Sequence, residues 1–119
     1  MIKVSVFLTR RPGIGRQEFI SYWTNEHVRL VCSLEGFTSA VRRYTQQHPL
    51  ESPEGLPEAP YDGIAELWLD DMESLGQVFG QEVYASVVVP DEEKFLDRAK
   101  TVMLITEEKQ IIKTADPKP

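Results

Sequence analysis

The spacing of apolar residues in the first third of the chain changes once, and that change dictates most of what the chain can become. Ile2, Val4, Val6 and Leu8 alternate with Lys3, Ser5, Phe7 and Thr9, the period of a half-buried strand. Arg11-Pro12-Gly13 breaks it. From Arg16 the period becomes three to four. Phe19, Ile20, Trp23, His27, Leu30, Val31 and Leu34 fall on one stripe of an amphipathic helix, with Gly36 as its stop.

The rest of the chain repeats that order of elements without repeating the sequence. Phe37 to Gln47 reads as a second strand, with Val41, Arg43 and Thr45 on one face and Arg42, Tyr44 and Gln46 on the other. His48 to Pro60 holds four prolines, one glycine and three glutamates and reads as a loop. Tyr61 to Leu69 is a third strand. Asp70-Asp71-Met72-Glu73 has the acidic character of a helix start, and a helix follows through Phe79. Gln81 to Val89 is ambiguous between a strand, favoured by Val87-Val88-Val89, and a helix stopped by Pro90. Asp91 to Asp97 suits one or two helical turns, and Lys100 to Thr106 a last strand. The order β-α-β-β-α-β is that of a ferredoxin-like α+β fold: one four-stranded antiparallel sheet with its helices on one face. Residues 1–108 are expected to form this single domain, and 109–119 a polar C-terminal tail. The face without helices would expose Val, Leu and Met side chains from four strands, so a homodimer packed sheet against sheet is expected.

Composition excludes several classes of function. The 119 residues suit one domain, with 41% hydrophobic and 27% charged residues. A net charge of -6, with Lys and Arg outnumbered and dispersed, argues against nucleic acid as a partner. The apolar runs are too short for a membrane span, and the N-terminus lacks a signal-peptide pattern. One cysteine, Cys32, rules out an internal disulfide and fits a reducing cytoplasm.

Familiar motifs fail on inspection. Gly13-Ile14-Gly15 follows a strand and opens a helix, but Glu18 stands where a dinucleotide site needs its third glycine. His27, His48 and Cys32 do not have the spacing of a zinc site. Cys32 lies five residues beyond His27, on a different face of the helix, and reads as a small apolar filler. Asp91-Glu92-Glu93 reads as a charge cluster at a helix start.

His27 is the residue that matters most. It shares the sheet-facing stripe with Trp23 and Leu30, and a lone histidine there is either a satisfied core residue or a proton carrier. Asp62 and Glu66 lie among apolar residues on one face of the third strand, together with Trp68, and Tyr44 lies in the second strand. Buried polar groups cost free energy unless paired, so this concentration suggests a partly polar pocket.

Four segments carry a family resemblance: Phe19-x-x-Tyr22-Trp23-x-x-x-His27-x-x-Leu30-Val31, Val41-Arg-Arg-Tyr44, Tyr61-Asp-Gly-Ile-Ala-Glu66-Leu-Trp68 and Pro90-Asp-Glu-Glu-x-Phe95. Together they resemble the EthD-domain family over nearly all of residues 1–108. The resemblance implies a dimeric α+β barrel. It also implies relatives that act without metal or redox cofactor, among them a methylmuconolactone isomerase and fungal polyketide-pathway decarboxylases or dehydratases. The family's helix histidine falls on His27, and a tyrosine of the isomerase pocket on Tyr44. The isomerase's strand cysteine is here Leu67, and Arg29 stands where the family often has proline, which would let the helix run straighter.

The leading expectation is a cofactor-independent homodimeric enzyme acting on a small hydrophobic organic substrate. It would be an isomerase, dehydratase or decarboxylase. His27, Tyr44 and Asp62 are the expected catalytic residues, and Trp23, Glu66 and Trp68 the expected substrate-binding ones. Two rivals stand beside it. One is a non-catalytic carrier or accessory protein for an oxygenase. The other is a haem-linked monooxygenase of the same barrel group. The family's name would by itself attach an oxidoreductase label to an EthD-like protein of any of these kinds. Convergent polar groups beside His27 would separate an enzyme from a carrier.

Overall fold

Chain direction is first reversed by a turn whose residues match its geometry. Pro12 and Gly13 occupy its two central positions, Gly13 has φ +91°, and the Ile14 amide bonds the Arg11 carbonyl at 3.4 Å. Proline then glycine with positive φ is the pattern of a type II turn. An added Cβ at Gly13 or Gly15 would meet nothing within 4 Å, so the glycines serve the turn and not a close packing contact.

The computed structural model describes residues 1–113. Its elements are β1 (Ile2–Leu8), α1 (Arg16–Tyr22), a π-turn (Trp23–His27), α2 (Val28–Cys32), α3 (Glu35–Ala40), β2 (Val41–Gln47), β3 (Gly63–Leu69), α4 (Ser74–Phe79), a second π-turn (Tyr84–Val88), α5 (Val89–Glu92) and β4 (Val102–Thr106). The strands form one sheet in the order β2-β3-β1-β4, and every pair is antiparallel. Of the expected tail, residues 114–119 lie outside the described residues.

Two apolar clusters fill the space between sheet and helices. Val4, Leu67 and Leu69 pack with Ala40 and Val78. Leu8 packs with Phe19, Trp23, Phe95 and Leu96. Phe19, Trp23 and Phe95 are almost wholly buried, and burying one such side chain is worth about 1.5–3 kcal/mol. The clusters leave one sheet face uncovered, as the alternation in β1 predicts.

Several boundaries differ from the sequence reading. Gly36 does not stop a helix but sits inside α3, so β2 begins at Val41 and not at Phe37. An added Cβ at Gly36 would lie 3.0 Å from the Gln77 carbonyl, so this glycine permits a close approach between α3 and the α4 segment. A register shift between Val41 and Arg43 turns Val41 and Tyr44 to the same, core-facing side. The ambiguous stretch is helical. Pro90 lies in the first turn of α5, where its missing N–H is tolerated. Asp71 behaves as the acidic start suggested: its carboxylate accepts from both the amide and hydroxyl of Ser74 at 2.9 Å.

The uncovered sheet face also differs from expectation. Its centre is polar: Glu66 pairs with Lys3 and accepts from Gln47 at 3.0 Å. Trp68 lies between Lys3 and Arg43, with the Arg43 guanidinium 4.6 Å from its ring. Exposed apolar residues concentrate on β4, from Val102 to Ile105. This is an edge strand, so its side chains lack cover on the outer side. Cys32 is exposed and is not a core filler.

Candidate functional site

Both π-turns border the same cavity. A π-turn inserts one extra residue into a helix and leaves a backbone group to be satisfied elsewhere; such bulges recur at functional sites. The first carries Trp23 and His27 and the second Tyr84 and Val88, all four of which line a cavity of about 70 Å³ between helices and sheet. The Trp23 carbonyl accepts from the Gln46 side chain at 3.3 Å. The helix is therefore widened over the turn that ends just before Val28 and Arg29. The cavity walls are otherwise mostly apolar, built by Val6, Leu8, Val31, Leu67, Val78 and Phe95 among others.

His27 is held by one edge. Its Nδ1 lies 2.7 Å from the Asp91 carboxylate, and its ring packs on Phe95 with centroids 5.0 Å apart. The Asp91 side chain is 8% exposed and accepts a second hydrogen bond, from the Tyr22 hydroxyl. A buried carboxylate at Nδ1 favours the tautomer with its proton there and leaves the Nε2 lone pair free. Nε2 has no hydrogen-bond partner among the described residues. No fully buried side-chain nitrogen or oxygen there lacks a partner, so Nε2 reaches open space, and the cavity is the space His27 lines. Burial and then the Asp91 contact push the Tyr22 phenol up to about 12, so Tyr22 remains a donor throughout the neutral range.

Tyr44 lines the same cavity from β2. Its oxygen accepts from the Gln46 amide at 2.9 Å, and its own proton has no acceptor among the described residues. Burial is the main cause that raises its phenol, which keeps the proton in place for donation. Gln46 also meets His48, Oε1 to Nε2 at 2.9 Å, and His48 stacks on Trp23 with centroids 5.0 Å apart. His48 is thus tied to the site's backing and is exposed to solvent.

A second carboxylate borders the cavity. Glu92 follows Asp91 in α5, its side chain is 15% exposed, and its oxygens accept from the Tyr84 hydroxyl at 3.1 and 3.2 Å. Arg98 Nε stands 3.4 Å away. Burial raises the Glu92 carboxyl above its ordinary value, against the opposing pull of the Tyr84 hydrogen bond and of neighbouring His27 and Arg98.

The structure brings together three of the expected site residues, His27, Tyr44 and Trp23. It does not bring in the other three. Asp62 lies just before β3, where it accepts from the Arg10 amide at 2.8 Å and faces Arg10 Nε and Arg16 at 3.6 and 3.7 Å. That is a clamp between chain segments, so the histidine's partner is Asp91 and not Asp62. Glu66 and Trp68 lie on the uncovered sheet face, because β3 turns Gly63, Ala65, Leu67 and Leu69 toward the helices. Sequence reasoning missed Asp91, Glu92, Tyr22 and Tyr84. Signals pointed to the first three: Tyr22 and the Pro90–Phe95 run both belong to the segments that carry the family resemblance, whereas Tyr84 lies in none of them.

Fold and site together define a ferredoxin-like α+β domain with a histidine–carboxylate pair at an apolar cavity. The chain belongs to the EthD-domain family: the EthD domain matches residues 11–99. It is 28% identical over 109 residues to dehydratase ustZ of Ustilaginoidea virens, an alignment covering 81% of this chain and 75% of that protein. An ethyl tert-butyl ether degradation (EthD) family protein of Bacillus halodurans has a TM-score of 0.67 and 25% identity, covering 92% of this chain and 99% of its own. A dimeric protein of unknown function with a ferredoxin-like fold from Bacteroides fragilis has a TM-score of 0.64 at 10% identity, covering 90% of this chain and 95% of its own. Among the described residues, no helix is long and apolar enough to cross a membrane, and no group of three or more His, Cys, Asp or Glu could hold a metal ion.

Proposed function

We propose that this protein is an acid–base enzyme of the dehydratase type, which removes a proton next to the carbonyl of a small, largely apolar organic molecule. The observation that carries this reading is the His27 ring, with Nδ1 on Asp91 and Nε2 free at the cavity. His27 Nε2 takes the proton. The C–H electron pair moves into the carbonyl to give an enolate, whose oxygen accepts the free Tyr44 proton. Asp91 fixes the tautomer and balances the charge of the imidazolium as it forms, the role the third member plays in a triad. The reading uses only side chains of the chain itself and no cofactor.

Its likeness to a protein named as a dehydratase supports this choice. Polar groups converging on His27 favour it over a carrier, whose cavity needs none. Leu67 stands where the related isomerase has its cysteine and offers no thiol, which weighs against that chemistry. Two copies packed sheet against sheet complete the proposal, supported by the dimeric relatives and by the exposed apolar residues of β4.

Cyclohexanone, a small apolar ketone, is the probe. Incubated in D2O with the protein, it should exchange its α-protons faster than the buffer rate, as read by proton NMR. His27→Gln should bring exchange to the buffer rate while the circular dichroism spectrum is unchanged. Equal exchange by a folded His27→Gln protein refutes the proposal.

A further inference from the structure

The reaction proposed for His27 accounts for the buried carboxylate of α5, Asp91, and leaves the half-buried one beside it, Glu92, without a task. Consecutive residues on a helix point about 100° apart. Asp91 turns to His27 and Tyr22, and Glu92 turns to Tyr84 and Arg98. Glu92 lines the cavity together with His27 and Tyr44. It also lines a second cavity of about 120 Å³, which reaches Arg98, Thr101 and Met103 beside the β4 edge. Val6, Tyr84, Glu92 and Leu96 are common to both linings, so Glu92 stands at the boundary between the two spaces.

A carboxylate placed only for stability would gain little from this position. Burial disfavours its charged form, and an apolar residue of the same volume would avoid that cost. Glu92 also has the character an acid needs. The groups that face it are Tyr84 from the second π-turn, Arg98 from the segment after α5, and His27 from the first π-turn; burial outweighs their opposing pull, and its carboxyl stays above the ordinary range.

Resting on the proposed His27 chemistry, we infer that Glu92 is the general acid of the same reaction, delivering a proton to a hydroxyl leaving group β to the carbonyl. The substrate class is then a β-hydroxy carbonyl compound, and the reaction is loss of water. The α-C–H bond breaks and its proton goes to His27 Nε2. The electron pair, held first in the enolate at Tyr44, returns from the carbonyl oxygen to form the α–β double bond as the β-C–O bond breaks. The Glu92 proton joins the departing oxygen to make water. His27 is left protonated and Glu92 deprotonated, and one proton moving from the first to the second through solvent restores both. Tyr84 is a positioning residue: its hydroxyl meets both Glu92 oxygens and fixes the carboxyl at the boundary of the cavity.

Two probes that differ only in leaving group test this, 3-hydroxycyclohexanone and 3-acetoxycyclohexanone. Hydroxide needs a proton to leave and acetate does not. Glu92→Gln, which keeps size and hydrogen bonding, should slow loss of water by about 100-fold or more, the usual scale of general-acid catalysis. Loss of acetate should slow by far less. Tyr84→Phe should move the ratio of the two rates in the same direction by a smaller factor, and it serves if Glu92→Gln does not fold. Equal slowing of both eliminations marks a structural role and overturns the inference, as does an unchanged rate of water loss. A wild-type protein that exchanges the α-protons of cyclohexanone but does not dehydrate the hydroxyketone overturns this inference alone. A wild-type protein that does neither removes the His27 reading beneath it as well.

Discussion

Asp91→Asn separates the chemical role of the histidine–carboxylate pair from its structural one. Asparagine has the shape of aspartate but one acceptor oxygen in place of two, so with that oxygen kept at Nδ1 its NH2 faces the Tyr22 hydroxyl. What it loses is charge. Two unit charges about 4 Å apart interact by about 4 kcal/mol at an effective dielectric of 20. At 1.36 kcal/mol per decade, that is about a thousandfold on the step that creates the imidazolium. Solvent screening is weak here, since the two side chains are only 12% and 8% exposed. The retained hydrogen bond offsets part of the loss, whereas an asparagine that turns its NH2 toward Nδ1 drives the ring into the wrong tautomer and adds to it; the same change in a serine-protease triad costs about 10⁴. The expected result is a fall of about 10² to 10³ in α-proton exchange of cyclohexanone, with the fold kept as judged by circular dichroism. A fall below threefold in a folded protein would refute the reasoning, since it would mean that no charge develops on His27.

Other consequences follow from the same geometry. A Cβ at Gly63 would stand 2.5 and 2.8 Å from the Trp23 ring, so Gly63→Ala should destabilise by about 1–3 kcal/mol. It should also slow exchange, because the displaced ring belongs to the turn carrying His27; thermal melting with the exchange assay reads both. Asp62→Asn removes a clamp and no cavity group, so melting should fall by a few degrees while exchange persists. Glu92 has a raised carboxyl, so the folded state binds more protons than the unfolded one between the ordinary and raised values. Its contribution to stability therefore falls as pH rises through that window, and denaturant titrations should find wild type losing ground to Glu92→Gln as pH increases from 4 to 8. Leu104→Glu, on the exposed edge strand, should give monomers in sedimentation velocity if two copies pack through the sheet.

Long-range order was legible wherever one period ran without interruption. The alternation of Ile2 to Thr9 told which residues of β1 share a face, Val4, Val6 and Leu8 among them, and the Phe19–Trp23–His27 stripe brought the histidine inward. Failures came where local signals conflicted. Gly36 resembles a stop, yet its value is the close approach to the Gln77 carbonyl, a tertiary fact. The valine run before Pro90 favours a strand by propensity, yet packing against the sheet makes it a π-turn and a helix. For the site, the histidine was visible as an oddity on an apolar stripe. Its partner was not, because Asp91 sits in an acidic run whose commonest meaning is a solvated helix start. Only the contact across 64 positions separates the two meanings. Glu66 and Trp68 misled for a related reason: strand alternation tells which residues share a face but not which face is covered.

The central claim is that His27 holds its proton on Nδ1 against Asp91 and offers Nε2 to the cavity. Nitrogen NMR of protein labelled in its histidine rings tests it most directly, with His48→Gln removing the second signal, at a pH where imidazole is neutral. The account predicts a protonated Nδ1 and a bare Nε2 whose resonance moves when cyclohexanone is added, with Nδ1 nearly unmoved. A proton on Nε2, or an Nε2 resonance indifferent to saturating ketone, would contradict it.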